Sequence, residues 1–85
     1  MITFEMTGFV ELSTKGRNIR YKEDFVNYVK QFGWVHTKLT KNTTYLLYSK
    51  TNTSKYNTAK RYGVKTITYN EALNMIERNA IWEEL

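Results

Sequence analysis

The chain has 85 residues and a formal net charge of +5, with one histidine and neither cysteine nor proline. This length allows one small hydrophobic core, and the lack of cysteine excludes disulfide bonds, a thiolate nucleophile and cysteine-based metal sites. The segment 15–65 holds twelve basic and two acidic residues, a pattern typical of a surface that attracts a polyanion, although a solvated lysine-rich surface would look the same.

Seven elements are predicted, and strand patterns alternate with helical patterns along the chain. The strands are short and bounded by glycine or polar turn residues, and the helices show apolar residues that recur with a period of 3.6. Residues 9–20 show no such period and predict a long loop. The predicted elements are a strand at 2–6, a helix from 21 to 33, strands at 34–37 and 44–48, a helix at 55–62, a strand at 65–68 and a helix from 69 onward.

Local signals mark the ends of these helices. Gly33 and Gly63 follow the first two helices, where a glycine commonly ends a helix. Thr53 or Ser54 can cap the second helix, and the segment 68–71 fits the S/T-x-x-E capping box that opens the third. Helices that alternate with strands predict an α/β fold with a largely parallel sheet covered on both faces.

We expect one domain that spans residues 1–85, with its core at about 2–77 and a tail at 79–85 that packs on the last helix or is available to a partner. No run approaches the roughly 18 apolar residues of a membrane span, and the first residues lack the pattern of a secretory signal. Secreted domains of this size usually contain disulfides. The sequence therefore predicts a cytoplasmic protein that does not contact a membrane.

Four sequence blocks in this order resemble the BRCT domain. They are a strand that ends in Thr7-Gly8, an amphipathic helix that ends in glycine, a Thr-Thr-Tyr-Leu-Leu strand at 43–47, and the segment 54–67, which is similar to the family's SKxxxA…LGVxII run. The resemblance covers about residues 2–77. It implies a four-stranded parallel sheet of order 2-1-3-4 flanked by three helices, one on one face and two on the other.

The chain is most similar to the BRCT subclass of bacterial NAD-dependent DNA ligases and of the large subunit of replication factor C. It departs from the family pattern in three places. The segment between Gly8 and the first helix is several residues longer, Gly33-Trp34 replaces the usual Gly-Gly, and the last helix has 74–76 as Asn-Met-Ile in place of the tryptophan typical of phosphopeptide-binding repeats.

The resemblance also implies a phosphate-binding pocket. In BRCT domains that bind phosphate, a Ser or Thr hydroxyl, the next glycine amide and a lysine at the start of the second helix form the pocket, and the matching residues are Thr7, Gly8 and Lys55. Their chemistry is suitable, since glycine lets its N–H approach an anion closely and a lysine at a helix N-terminus adds charge to free amides. Alternatively, Thr7-Gly8 is only a strand-ending turn and Lys55 a solvated residue.

A base at the start of the first helix contacts DNA in the replication factor C version of the domain. Lys22 matches it, because 22–25 reads basic, acidic, acidic, apolar. The longer loop leaves Lys15, Arg17 and Arg20 as alternatives. Bases beside a phosphate pocket would hold a nucleic-acid backbone, or they would simply be solvated.

The predicted function is a non-catalytic phosphate-binding module that binds DNA ends or nicks through a 5′-phosphate in replication or repair. The alternative is a protein–protein interaction module that binds a phosphopeptide or docks a domain, as a homodimer or as a separate subunit of a DNA ligase. We expect no enzyme, cofactor or metal site, because the sequence shows no nucleophile–base pair, nucleotide-binding loop or metal cluster. His36, the single histidine, has no carboxylate or thiol beside it in sequence.

Overall fold

The structure of the protein, a computed structural model, describes residues 1–10, 19 and 21–84, and at 79–84 the backbone alone. Each predicted strand and helix is present within a few residues of its expected bounds. The elements are β1 (Ile2–Thr7), α1 (Lys22–Lys30), β2 (Trp34–His36), β3 (Tyr45–Tyr48), α2 (Ser54–Tyr62), β4 (Lys65–Thr68) and α3 (Tyr69–Glu84).

The four strands form one sheet with the order β2-β1-β3-β4, and all three pairings are parallel. The buried side chains of α1 and α3 belong to one core cluster with the sheet, and those of α2 belong to a second cluster. Two helices therefore cover one face and one helix covers the other. The predicted four-stranded parallel sheet of order 2-1-3-4 with three helices is confirmed.

The larger of the two core clusters is organised by aromatic rings. Phe4 of β1 meets Phe25 of α1 edge to face at 6.0 Å, and Phe25 meets Tyr69 of α3 in the same way at 5.4 Å. Such edge-to-face pairs stabilise a core beyond the area they bury. The smaller cluster consists of Leu46, Ala59 and Val64. Successive strand residues point to opposite faces, and Leu46 and Leu47 are buried in different clusters. β3 is therefore buried on both faces, as predicted.

The helix ends follow the predicted signals with one correction. The helix predicted to run to Gly33 ends at Lys30, because the amides of Phe32 and Gly33 bond to carbonyls three residues back and form a turn. Thr53, rather than Ser54, caps α2, and Gly63 closes it with a left-handed φ of 74°. The capping box at 68–71 is present, with the two reciprocal hydrogen bonds that define it.

β1 extends past one of its two neighbours. β2 pairs with Ile2–Phe4, whereas β3 pairs with Phe4–Thr7. β2 lies on one side of β1 and β3 on the other, so the strand order reverses between β1 and β3. Open parallel sheets bind ligands at the carboxyl ends of the strands where this reversal occurs. No helix in the described ranges is long and apolar enough to cross a membrane.

Candidate functional site

The end of β1 is held by hydrogen bonds from two helices. Thr7 is buried, and its Oγ1 donates to Thr53 Oγ1 at 2.8 Å. The hydroxyl of Tyr69, the first residue of α3, donates to the carbonyl of Thr7 at 3.2 Å and lies 3.4 Å from that of Gly8. Burial raises the pKa of Tyr69 well above the ordinary tyrosine value, which keeps this donor protonated. The strand end is therefore fixed in relation to α2 and α3.

Gly8 has a φ of +81°, in the left-handed region that side chains disfavour. A Cβ at this position would lie 2.3 Å from Ser49 Oγ, which follows β3. Within the described residues, Ser49 Oγ is buried and has no hydrogen-bond partner. The backbone conformation therefore favours glycine here, and a side chain at this position would also have to displace the Ser49 hydroxyl.

Lys55 is placed at the same sheet end by the cap of α2. Thr53 is the N-cap of α2, which begins at Ser54. Its Oγ1 accepts a hydrogen bond from the amide of Tyr56 at 3.1 Å. From the first turn, Lys55 Nζ donates to the carbonyl of Met6 at 3.3 Å. The lysine side chain is 49% exposed, so its ammonium group lies against β1 and still faces solvent.

A buried carboxylate lies directly beside this lysine. The side chain of Glu5 is 11% exposed, and its Oε2 lies 3.7 Å from Lys55 Nζ. Its Oε1 accepts from the amide of Met6 at 2.8 Å and forms a hydrogen bond of 2.6 Å with His36 Nε2. Burial acts to raise the pKa of Glu5, but the hydrogen bonds and the charge of Lys55 outweigh it and hold that pKa below its usual value. Glu5 is therefore an anion at neutral pH.

A pocket of about 310 Å³ opens between the N-termini of α1 and α2 at this point. Lys22, the first residue of α1, lines the pocket together with Lys55. Of the four bases predicted to hold a nucleic-acid backbone, Lys22 is thus adjacent to the site, and Lys15, Arg17 and Arg20 lie outside the described residues. Among the residues that the structure describes, no group of three side chains is suited to binding a metal ion. The pocket is lined by Glu5, Met6, Lys22, Glu23, Val26, Asn27, His36 and Lys55.

Residues 10–70 match the family of twin BRCT domains. The chain belongs to the BRCT family. BRCT domains are generally interaction modules without catalytic activity. No curated protein matches the chain.

Solved BRCT structures share this fold. The chain is similar to Rad4 BRCT1,2 in complex with a Crb2 phosphopeptide, with 22% identity and a TM-score of 0.69. It is equally similar to Rad4 BRCT1,2 in complex with an Mdb1 phosphopeptide, with 20% identity and a TM-score of 0.71. In both cases the match covers 92% of this chain and 39% of the Rad4 chain, so the chain spans about two fifths of the length of these structures.

In this BRCT domain Lys55 lies beside the strand end formed by Thr7 and Gly8, whereas the pocket of about 310 Å³ is lined by Lys55 and not by Thr7 or Gly8. Thr7 and Gly8 end β1, and Lys55 donates to the carbonyl directly before them. Glu5 and its contact with His36 were not predicted from the sequence. The sequence shows Glu5 only as a carboxylate on an alternating strand, and no carboxylate lies beside His36 along the chain. The pairing of β1 with β2 brings Glu5 and His36 together although they are 31 positions apart.

Proposed function

We propose that this BRCT domain binds a phosphate group on a partner protein through Thr7, Gly8 and Lys55, as a non-catalytic interaction module. The observation that carries the proposal is the position of Lys55 Nζ, 3.3 Å from the Met6 carbonyl and half exposed at the N-terminus of a capped helix. Helix N-termini favour anions through their free amides, and a lysine there adds a full positive charge.

In this proposal Lys55 and the amides of the first turn of α2 attract the phosphate. Thr7 also positions the start of α2 through its contact with Thr53. Its hydroxyl hydrogen points to Thr53 Oγ1, so the hydroxyl has to rotate before it can donate to a phosphate oxygen. The phosphopeptides in the Rad4 complexes support a protein ligand, since those domains have the same fold as this chain.

A 5′-phosphorylated DNA end or nick is the second candidate ligand, and the charge distribution favours it. The segment 15–65 is strongly basic, and Lys22 and Lys55 line one pocket. Phosphate contacts of this kind position a protein on DNA without reading its sequence. The same pocket would then hold the terminal phosphate.

Fluorescence anisotropy on four probes separates the ligands. The probes are a phosphothreonine peptide pool with randomised flanks, its unphosphorylated form, and matched DNA duplexes with and without a 5′-phosphate. We expect the phosphorylated pool to bind in preference to the unphosphorylated one. Lys55→Met should weaken this binding by about tenfold, the value of one hydrogen bond to a charged group. Lys38→Met, which removes an exposed lysine in the β2–β3 connection, is the matched control.

The proposal is wrong if both peptide pools bind equally or if Lys55→Met has no larger effect than Lys38→Met. A preference for the 5′-phosphorylated duplex that depends on Lys55, without any preference between the peptide pools, would replace the protein ligand with a DNA end. Equal binding to both duplexes that weakens steeply with salt would show only the general attraction of a basic surface for DNA.

A further inference from the structure

We propose that Glu5 is a specificity-determining residue of the pocket: its carboxylate lowers the affinity of Lys55 for phosphate, and His36 sets how strongly it does so. This inference rests on the proposed function, because it concerns the same lysine. It depends on the acidic residue two positions before Thr7.

The geometry makes Glu5 a competitor for Lys55. Oε2 of Glu5 lies 3.7 Å from Lys55 Nζ, and the remaining carboxylate oxygen is held by the Met6 amide and by His36. The carboxylate is fixed in a buried position and has little freedom to move away from an incoming anion. A phosphate bound to Lys55 would lie a few ångströms from a second anion, and like charges at that distance oppose each other.

Charged or titratable groups from β2, α2, α1 and α3 lie around Glu5, and its partner on β3 is the apolar Leu46. His36 comes from β2 and Lys55 from α2, and both contact the carboxylate. Lys22 and Glu23 of α1 line the same pocket, and Tyr69 of α3 is close enough for the charge of Glu5 to act on its hydroxyl.

His36 is the group through which the effect of Glu5 can change. An imidazolium 2.6 Å from Oε1 would offset the negative charge of the carboxylate that competes for Lys55. A phosphate group therefore meets a more positive pocket when His36 is protonated.

The first test compares two glutamates that line one pocket. Inorganic phosphate is titrated at constant pH 7.5 into the wild-type chain, Glu5→Gln and Glu23→Gln, and the amide resonances of Gly8 and Lys55 are followed by NMR. Each variant removes one negative charge, but only Glu5 contacts Lys55. We expect Glu5→Gln to tighten phosphate binding by about fivefold, in line with a partly exposed ion pair, and Glu23→Gln by less than twofold. Equal effects, or weaker binding by Glu5→Gln, would overturn the inference.

The second test uses inorganic sulfate, which remains a dianion over the whole range from pH 8 to pH 6. The His36 ring resonances are followed in the same titrations. Wild-type affinity should rise in step with protonation of His36, and His36→Gln, which keeps a hydrogen-bond donor but carries no charge, should abolish this rise. An identical pH profile in the variant would contradict the role of His36. This measurement holds even if Glu5→Gln fails to fold, which far-UV circular dichroism would reveal.

Lys55→Met distinguishes the two proposals. If Lys55→Met weakens phosphate binding no more than Lys38→Met does, the proposed function itself is wrong. If Lys55→Met weakens binding by about tenfold while Glu5→Gln leaves the wild-type affinity unchanged, the pocket is correct and only the role of Glu5 is refuted.

Discussion

At Gly8 the backbone and the packing impose the same requirement. The positive φ disfavours any side chain, and the position of a Cβ is occupied by Ser49 Oγ. The resemblance to BRCT domains explained this glycine by the approach of a phosphate to its amide. The structure adds a reason internal to the protein, because Gly8 also leaves space for the buried Ser49 hydroxyl at the end of β1.

Gly8→Ala should destabilise the chain more than Gly33→Ala. Both glycines have a φ above +80°, but a Cβ at Gly33 meets nothing within 4 Å, so only Gly8→Ala adds a steric clash. We expect a difference of about 1–3 kcal/mol in the free energy of unfolding, measured by urea denaturation. The double variant Gly8→Ala/Ser49→Ala should return to the value of Gly33→Ala. Equal losses in the two single variants would show that the Ser49 contact has no energetic weight.

Tyr69→Phe should change the alkaline limb of stability. The pKa of Tyr69 is raised in the folded chain, so above about pH 10 the unfolded chain releases a proton that the folded chain retains. The free energy of unfolding contributed by this group is therefore fully present below that pH and is lost as the pH rises further. Denaturation of the wild type between about pH 9 and 11 should show this loss, and Tyr69→Phe should reduce it. If the free energy of unfolding fell equally with pH in the wild type and in Tyr69→Phe, Tyr69 would not be the source of the loss.

The pair formed by Glu5 and His36 shows which residue-scale features a sequence leaves hidden. A family pattern marks Thr7, Gly8 and Lys55, and their contact with a phosphate stays a prediction. Glu5 matches no such pattern, and its role depends on the register that sets Phe4 of β1 opposite His36 of β2. Register is a property of the assembled sheet, and an alternating strand pattern does not specify it.

Among the elements, α2 connects the fold with the site. Its capping residue Thr53 accepts hydrogen bonds both from the helix amide of Tyr56 and from the hydroxyl of Thr7. The predicted alternatives for this cap were Thr53 and Ser54. The two are one residue apart. Thr53 is the cap because its backbone is extended and its hydroxyl accepts from the Tyr56 amide, and it also contacts Thr7 from another part of the chain.

Thr53→Ala should therefore have two effects. It removes the cap and leaves the buried Thr7 hydroxyl without its acceptor, which should cost about 2–3 kcal/mol of unfolding free energy. It should also weaken phosphate binding, because the first turn of α2 positions Lys55. Thr53→Ser keeps the hydroxyl and is the control. Chemical denaturation and the anisotropy assay measure the two effects, and a Thr53→Ala variant as stable as Thr53→Ser would show that the cap is not important.

On the scale of the whole molecule, the fold was more predictable than the site. Element order and apolar periodicity were enough for the α/β class, and the family resemblance supplied the strand order 2-1-3-4. The bases at 15, 17 and 20 lie outside the described residues, so their proposed contact with a nucleic-acid backbone stays a prediction. Both candidate ligands would place a phosphate in the same pocket. The choice between a protein and a DNA ligand therefore depends on contacts outside the pocket.

The contacts that build the pocket join residues far apart in the chain. Lys55 and Met6 are separated by 49 positions, Thr7 and Thr53 by 46, and Tyr69 and Thr7 by 62. A partly folded chain with correct local helices would consequently have no pocket, since closing these long loops comes before such contacts can form. A ligand that occupies the pocket would stabilise only the chain in which these long-range contacts are formed, and its binding would report the folded population rather than local helix formation.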